Sequence, residues 1–287
     1  MKTLQSIWFV VWRSLVFLFL WGIFQAVFIV PMISRLNGLE FTYPIFSKLY
    51  YDFTSAITVC FAAWIMTRFI DKRSFTSLGF ARSNALRDMG SGIIIGILWL
   101  AVSVGIAWSA GIATMQTACI SLPWLFGIVF SVFFNAFAQE VLVRSYLYKT
   151  IRSRSNPAWA IFLTSVLFSV LHLGAFKGAW LPAMNVFGAG ILFALVYQFT
   201  GNVWMPTGIH FAWNYFENSL GLDVSAQNPW GIHWHLIKVN GPEILTGGTF
   251  GLEGGLIVSA TILMTIGVLL SFYKKKIQEL WVLLRNE

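Results

Sequence analysis

Apolar runs long enough to cross a lipid bilayer recur along the whole chain, and almost no charge interrupts them. A membrane-spanning helix needs about 20 predominantly apolar residues. Eight stretches meet this demand, some marginally: 14–34, 53–70, 90–111, 122–147, 157–173, 181–200, 203–220 and 256–273. The strands of a closed barrel would alternate polar and apolar residues, and these runs do not. The fold class read from this pattern is all-α: a polytopic integral membrane protein of about eight transmembrane helices. Composition points the same way. Only 10% of the 287 residues are charged, against about 25% in ordinary soluble domains. That excludes a soluble enzyme, a disordered linker and a nucleic-acid module, although the sequence pI is near 9.7.

The basic residues report orientation, because cytoplasmic loops carry the excess of Lys and Arg. With the N-terminus inside, the inner segments hold Lys2, Arg13, Arg68, Lys72, Arg73, Arg82, Arg87, Arg144, Lys149, Arg152, Arg154, Lys274, Lys275, Lys276 and Arg285. The outer segments hold only Arg35, Lys48, Lys177 and Lys238. Both termini are therefore expected in the cytoplasm, with an even number of spans. The first apolar run is too long for a signal-peptide core and reads as a retained helix. Three regions follow: 1–121 with helices 1–3, 122–220 with helices 4–7, and 221–287 with an outer loop, helix 8 and a tail. The tail from Lys274, basic and then apolar around Trp281, resembles an interfacial helix on an anionic leaflet. The loop 217–255 is glycine-rich, which predicts tight turns and no regular element. Cys60 and Cys119 have no metal-like spacing and read as packing residues.

Ionisable residues inside a membrane are costly and mark function. Among the acids, Glu140 alone lies well inside an apolar run; Asp52 and Glu217 sit at segment ends. Gln139, Arg144, His172, His210 and Asn214 complete the main polar set of the interior. Glu140 with Arg144, and His210 with Asn214, are four residues apart and share a helix face. A carboxylate, two imidazoles and a carboxamide can position water, take its proton and donate to an oxyanion. They also match a His2Glu metal set, although without HExxH spacing. Taken singly, each has a structural alternative: a packing ion pair for Glu140 and Arg144, an interhelical hydrogen bonder for each histidine or Asn214. His233 and His235 form a weak HxH pair in the outer loop, with no third ligand evident. Counted at 1.5 Å per residue, Glu140 lies about 13 Å from Lys149 and His210 about 12 Å from Asn202, whereas His172 lies about 22 Å from Pro157. A shared inner cavity therefore requires helix five to tilt or to start early.

The ordered set Gln139-Glu140-Val-Leu-Val-Arg144, Phe168-Ser-Val-Leu-His172 and His210-Phe-Ala-Trp-Asn214 resembles the EExxxR, FxxxH and HxxxN motifs of the CPBP family. That family includes the type II CAAX prenyl endopeptidases and the bacteriocin-processing or immunity (Abi) proteins. The resemblance spans about residues 122–220, and the run 241–255 is similar to one in many bacterial members. It implies a glutamate-dependent intramembrane endopeptidase in a bacterial cytoplasmic membrane, acting on a membrane-associated peptide or protein. Carried over, His172 activates water, His210 and Asn214 face the oxyanion, and Arg144 anchors its helix. The resemblance leaves both a divalent metal such as zinc and a metal-free mechanism open. This chain departs from the motif at the first Glu, where Gln139 stands; a carboxamide cannot act as a base near neutral pH. Either Glu140 serves as base, or the chain is a silent binding or immunity protein, or the change is an inactivating substitution. A proton-coupled transporter is a further alternative, opposed by the absence of an internal repeat.

Overall fold

The computed structural model describes residues 2–28, 44–81, 83–232, 234–275 and 278. Among these, five helices are long and apolar enough to cross a membrane: Leu4–Phe28, Ile45–Ile70, Ala85–Ser109, Leu122–Arg152 and Trp180–Thr200. In chain order the helices are α1 (Lys2–Phe28), α2 (Pro44–Ile65), α3 (Ala85–Ser109), α4 (Leu122–Arg152), α5 (Pro157–Val170), α6 (Leu173–Phe176), α7 (Trp180–Thr200), α8 (Trp204–Ser219), α9 (Glu243–Thr246) and α10 (Leu256–Phe272). The eight-span expectation thus resolves into five helices of full length plus α5, α8 and α10, which are shorter. His233, Arg35, Arg82 and most of the expected tail helix, Trp281 included, lie outside the described residues.

The helix starts follow local chemistry. Ser121 and Asn156 accept hydrogen bonds from the backbone of Trp124 and Trp159, and each precedes a helix with proline in its first turn. Such caps satisfy backbone donors that the first turn leaves free. α4 departs from regular geometry at Val141–Leu147, which is π-helical and begins directly after Glu140. Segments of this kind are rare and cluster at functional sites.

The centre of the bundle is the crossing of α3 and α8. Gly92, Gly96 and Gly208 meet there without side chains, since a Cβ on Gly92 would stand 2.2 Å from the Met205 carbonyl oxygen and one on Gly208 2.5 Å from that of Met89. Backbone contact through small residues is how helices associate in lipid, where no hydrophobic effect drives them together. α8 also packs on α4 and α7, α2 on α4, α5 on α7, and α10 on α3 and α7. α1 touches α2 and leaves most of its apolar surface outward, with Trp8 and Phe19 each 67% exposed.

The loops sort to two ends. At one end, Arg13 pairs with Asp71 at 2.9 Å, and Tyr197 and Val203 bond the carbonyls of Leu78 and Gly79. At the other, Ala113–Met115 (β1) and Ile237–Val239 (β2) form an antiparallel ladder, with Thr114 opposite Lys238. This ladder and an isolated bridge between Val224 and Gln227 are the departures of the described residues from an all-helical fold, and both lie in loops outside the bundle.

Candidate functional site

The motif helices converge. His172, His210 and Asn214 line one cavity of about 50 Å³, together with Phe168, Phe193 and Trp213. A buried water needs about 10–15 Å³ of such space, so the cavity holds a few waters. His172 shares this cavity with His210 and Asn214 despite the different depths that the residue count gives them. α5 stops at Val170, and His172 follows in a turn, its ring 4.7 Å from Phe168. Phe168 also packs against His210 at 5.8 Å, so one aromatic ring separates the two imidazoles.

The hydrogen bonds fix what each ring presents. Nδ1 of His172 donates to the Phe168 carbonyl at 2.8 Å. A carbonyl only accepts, so the neutral ring keeps its lone pair on Nε2. Nδ1 of His210 lies 3.0 Å from Oε1 of Glu140. A carboxylate only accepts here, so Glu140 fixes the orientation of the ring and turns Nε2 away from itself. The two histidines thus differ in what holds Nδ1, a backbone carbonyl in one case and a carboxylate in the other.

Glu140 and Arg144 are both fully buried and pair at 3.3 Å. Arg144 continues to the Gly190 carbonyl at 3.2 Å and lies over the Phe168 ring at 4.5 Å. The i,i+4 pair expected from the sequence is present even though the π-helical turn intervenes. Glu140 is not on the cavity wall; it reaches the cavity through His210. Nor is it the only deeply placed acid. Asp52 and Glu217 are also completely buried, Asp52 under α4 through Ser131 and Asn135. Position near a segment end hid this, because neighbouring helices and the outer loop cover those ends.

Gln139 lies beside a different cavity of about 220 Å³, lined also by Gln25, Tyr51, Ser55, Asn135 and His172. Its amide donates to Asn135 at 2.9 Å. His172 borders both cavities. Of the HxH pair, His235 bonds the Gly221 carbonyl at 2.7 Å in the outer loop, away from the first cavity.

One cavity residue had escaped the sequence reading. Glu253, from the glycine-rich loop, lines the same cavity as His172, His210 and Asn214. Its Oε1 accepts from the Trp213 indole at 2.7 Å, and its Oε2 from the Ser225 amide at 2.6 Å and hydroxyl at 3.1 Å. The only advance signal was its place in the run 241–255.

Among the described residues, no three His, Cys, Asp or Glu side chains converge as a set able to hold a metal ion. Glu140 is turned to Arg144 and to the inner nitrogen of His210, so the residues present do not compose the three protein ligands usual for catalytic zinc.

Fold and site together define a helical membrane protein with a small cavity lined by its helices and its outer loop. Residues 121–216, about a third of the chain, match the family model of the type II CAAX prenyl endopeptidase, Rce1-like, a family of hydrolases. The matched span begins at the cap of α4 and ends in α8, so it contains all three motifs. Neither a search of curated proteins nor one of solved structures gave a match.

Proposed function

We propose that the chain is an intramembrane endopeptidase that hydrolyses a peptide bond of a membrane-associated or lipidated peptide. The observation carrying this reading is the meeting of His172, His210 and Asn214 at one water-sized cavity, with Glu140 on the far nitrogen of His210. Nε2 of His172 takes a proton from water. The Nε2–H that His210 carries when its ring is protonated and the amide of Asn214 donate to the oxyanion as the carbonyl is attacked. The His172 proton then passes to the leaving nitrogen as the C–N bond breaks. Glu140 acts through His210, holding the orientation of its ring, while Arg144 fixes Glu140. A cavity of 50 Å³ does not admit a peptide, so α5 and its neighbours must part for substrate.

In this reading α5, α8 and α10 complete an eight-helix bundle with both termini in the cytoplasm of a bacterium. The residues 122–220 form its catalytic region. A catalytically silent binding or immunity protein is the second reading. Gln139 favours it, because that position holds no proton acceptor and bonds only Asn135.

The test is cleavage of a fluorogenic prenylated peptide ending in a CAAX box, with the protein in lipid vesicles. Glu140→Gln is expected to abolish turnover, and Gln139→Glu to raise it by placing a carboxylate beside His172. Unchanged turnover in Glu140→Gln would remove Glu140 from the mechanism. Cleavage by Gln139→Glu alone would identify the chain as a silenced peptidase.

A further inference from the structure

The structure points to Glu253 as the carboxylate that holds the attacking water, an assignment that rests on the peptidase reading above. None of the acids in the three motif helices lines the cavity, and Glu253 is the one acid that does. A carboxylate offers about four acceptor positions. The Trp213 indole and the Ser225 amide and hydroxyl each donate to it, and the buried carboxyl of Glu217 lies within hydrogen-bond reach as well. Two of the three donors are on Oε2 and one is on Oε1, so Oε1 is the oxygen open to a further partner, and Glu217 and a cavity water would share it.

The loop is built to deliver this group. Asn185 on α7 donates to the carbonyls of Glu253 at 2.7 Å and Gly255 at 2.9 Å, and Ser259 holds the Asn185 side-chain oxygen at 2.6 Å. A Cβ on Gly247 would stand 1.9 Å from the Gly251 carbonyl oxygen, and one on Gly255 2.0 Å from that of Leu245. Both contacts are impossible for any other residue. The glycines noted in the sequence thus pack the loop tightly enough to fold Glu253 back against the helices.

Three donors hold Glu253 in place, which suits an acceptor better than a proton carrier. The division of labour follows. One hydrogen of the water bonds Oε1 of Glu253. The other passes to Nε2 of His172 as the water oxygen bonds to the carbonyl carbon and the C=O pair moves to oxygen. When the C–N bond breaks, the nitrogen recovers the proton from His172. Glu253 stays a carboxylate throughout, and so replaces by position what Gln139 cannot supply by charge. The other charged and titratable groups around it are His172, His210, Glu217 and Asp223.

The test compares the parent chain, Glu253→Gln and Glu253→Asp, each with and without Gln139→Glu, in phosphatidylethanolamine–phosphatidylglycerol vesicles with the same prenylated peptide. Turnover is normalised to folded protein by thermal melting. Both variants are expected to lose about 100-fold in kcat with KM nearly unchanged, the scale of one lost polar group at a reacting centre. Glu253→Asp keeps the charge and all acceptors, so its loss reports position and not folding. Undiminished kcat per folded protein in Glu253→Asp and Glu253→Gln, with an active parent, overturns the role of Glu253 and leaves the peptidase reading intact. A rise in KM alone overturns it likewise. Silence of the parent and of Gln139→Glu overturns the peptidase reading, and the role of Glu253 with it.

Discussion

At the scale of single residues, the site is a set of prepared hydrogen bonds. His172 and His210 are chemically identical in the sequence and differ only in what holds Nδ1, a carbonyl in one case and Glu140 in the other. The buried pair beneath them makes a sharp prediction. Arg144→Met leaves the Glu140 charge with His210 as its remaining partner, and loss of one member of a buried pair costs about 3–5 kcal/mol. Unfolding in detergent should show that loss, and the double variant Arg144→Met/Glu140→Gln should recover part of it. A single variant as stable as the parent would show that the pair contributes nothing. The helical spacing of Glu140, Arg144, His210 and Asn214 made these residues legible in the sequence, since i,i+4 neighbours must share a face. Glu253 was not legible, because a loop has no period from which to read direction. The burial of Asp52 and Glu217 was hidden for a related reason: depth along one helix says nothing of what other elements cover its end.

At the scale of elements, close backbone approach decides the arrangement. α3 and α8 cross where Gly92, Gly96 and Gly208 leave no room for a methyl group, whereas Gly90 on α3 faces open space. Gly92→Ala should therefore destabilise the protein by about 1–3 kcal/mol, as overpacking does. Gly90→Ala should be neutral or slightly stabilising, because alanine is the better helix former. Equal melting temperatures for the two variants would contradict the crossing. The same logic applies to the loop. Gly247→Ala should displace residues 247–255 and reduce any turnover that depends on Glu253, with the helical content by circular dichroism unchanged. The five long helices were evident from apolar runs alone. The π-helical stretch after Glu140 and the β1–β2 ladder were not. The first depends on how α4 packs, and the second pairs three-residue strands too short to show a pattern.

At the scale of the whole molecule, the proposed orientation places each loop on one side of the membrane. Cys119, exposed in the loop between β1 and α4, is a native reporter of side. In the proposed orientation a membrane-impermeant maleimide labels it from outside intact cells, and Cys119→Ser abolishes the signal. Labelling only after the membrane is opened would reverse the orientation. The account as a whole stands on hydrolysis in the cavity of His172, His210 and Asn214. The most direct measurement is cleavage of the prenylated peptide by the vesicle-reconstituted protein in ¹⁸O-labelled water, read by mass spectrometry. The account predicts a product whose new carboxylate carries one solvent oxygen, and no such product from His172→Ala or His210→Ala. Proton flux through the vesicles without any labelled product, from the parent and from Gln139→Glu alike, would contradict it.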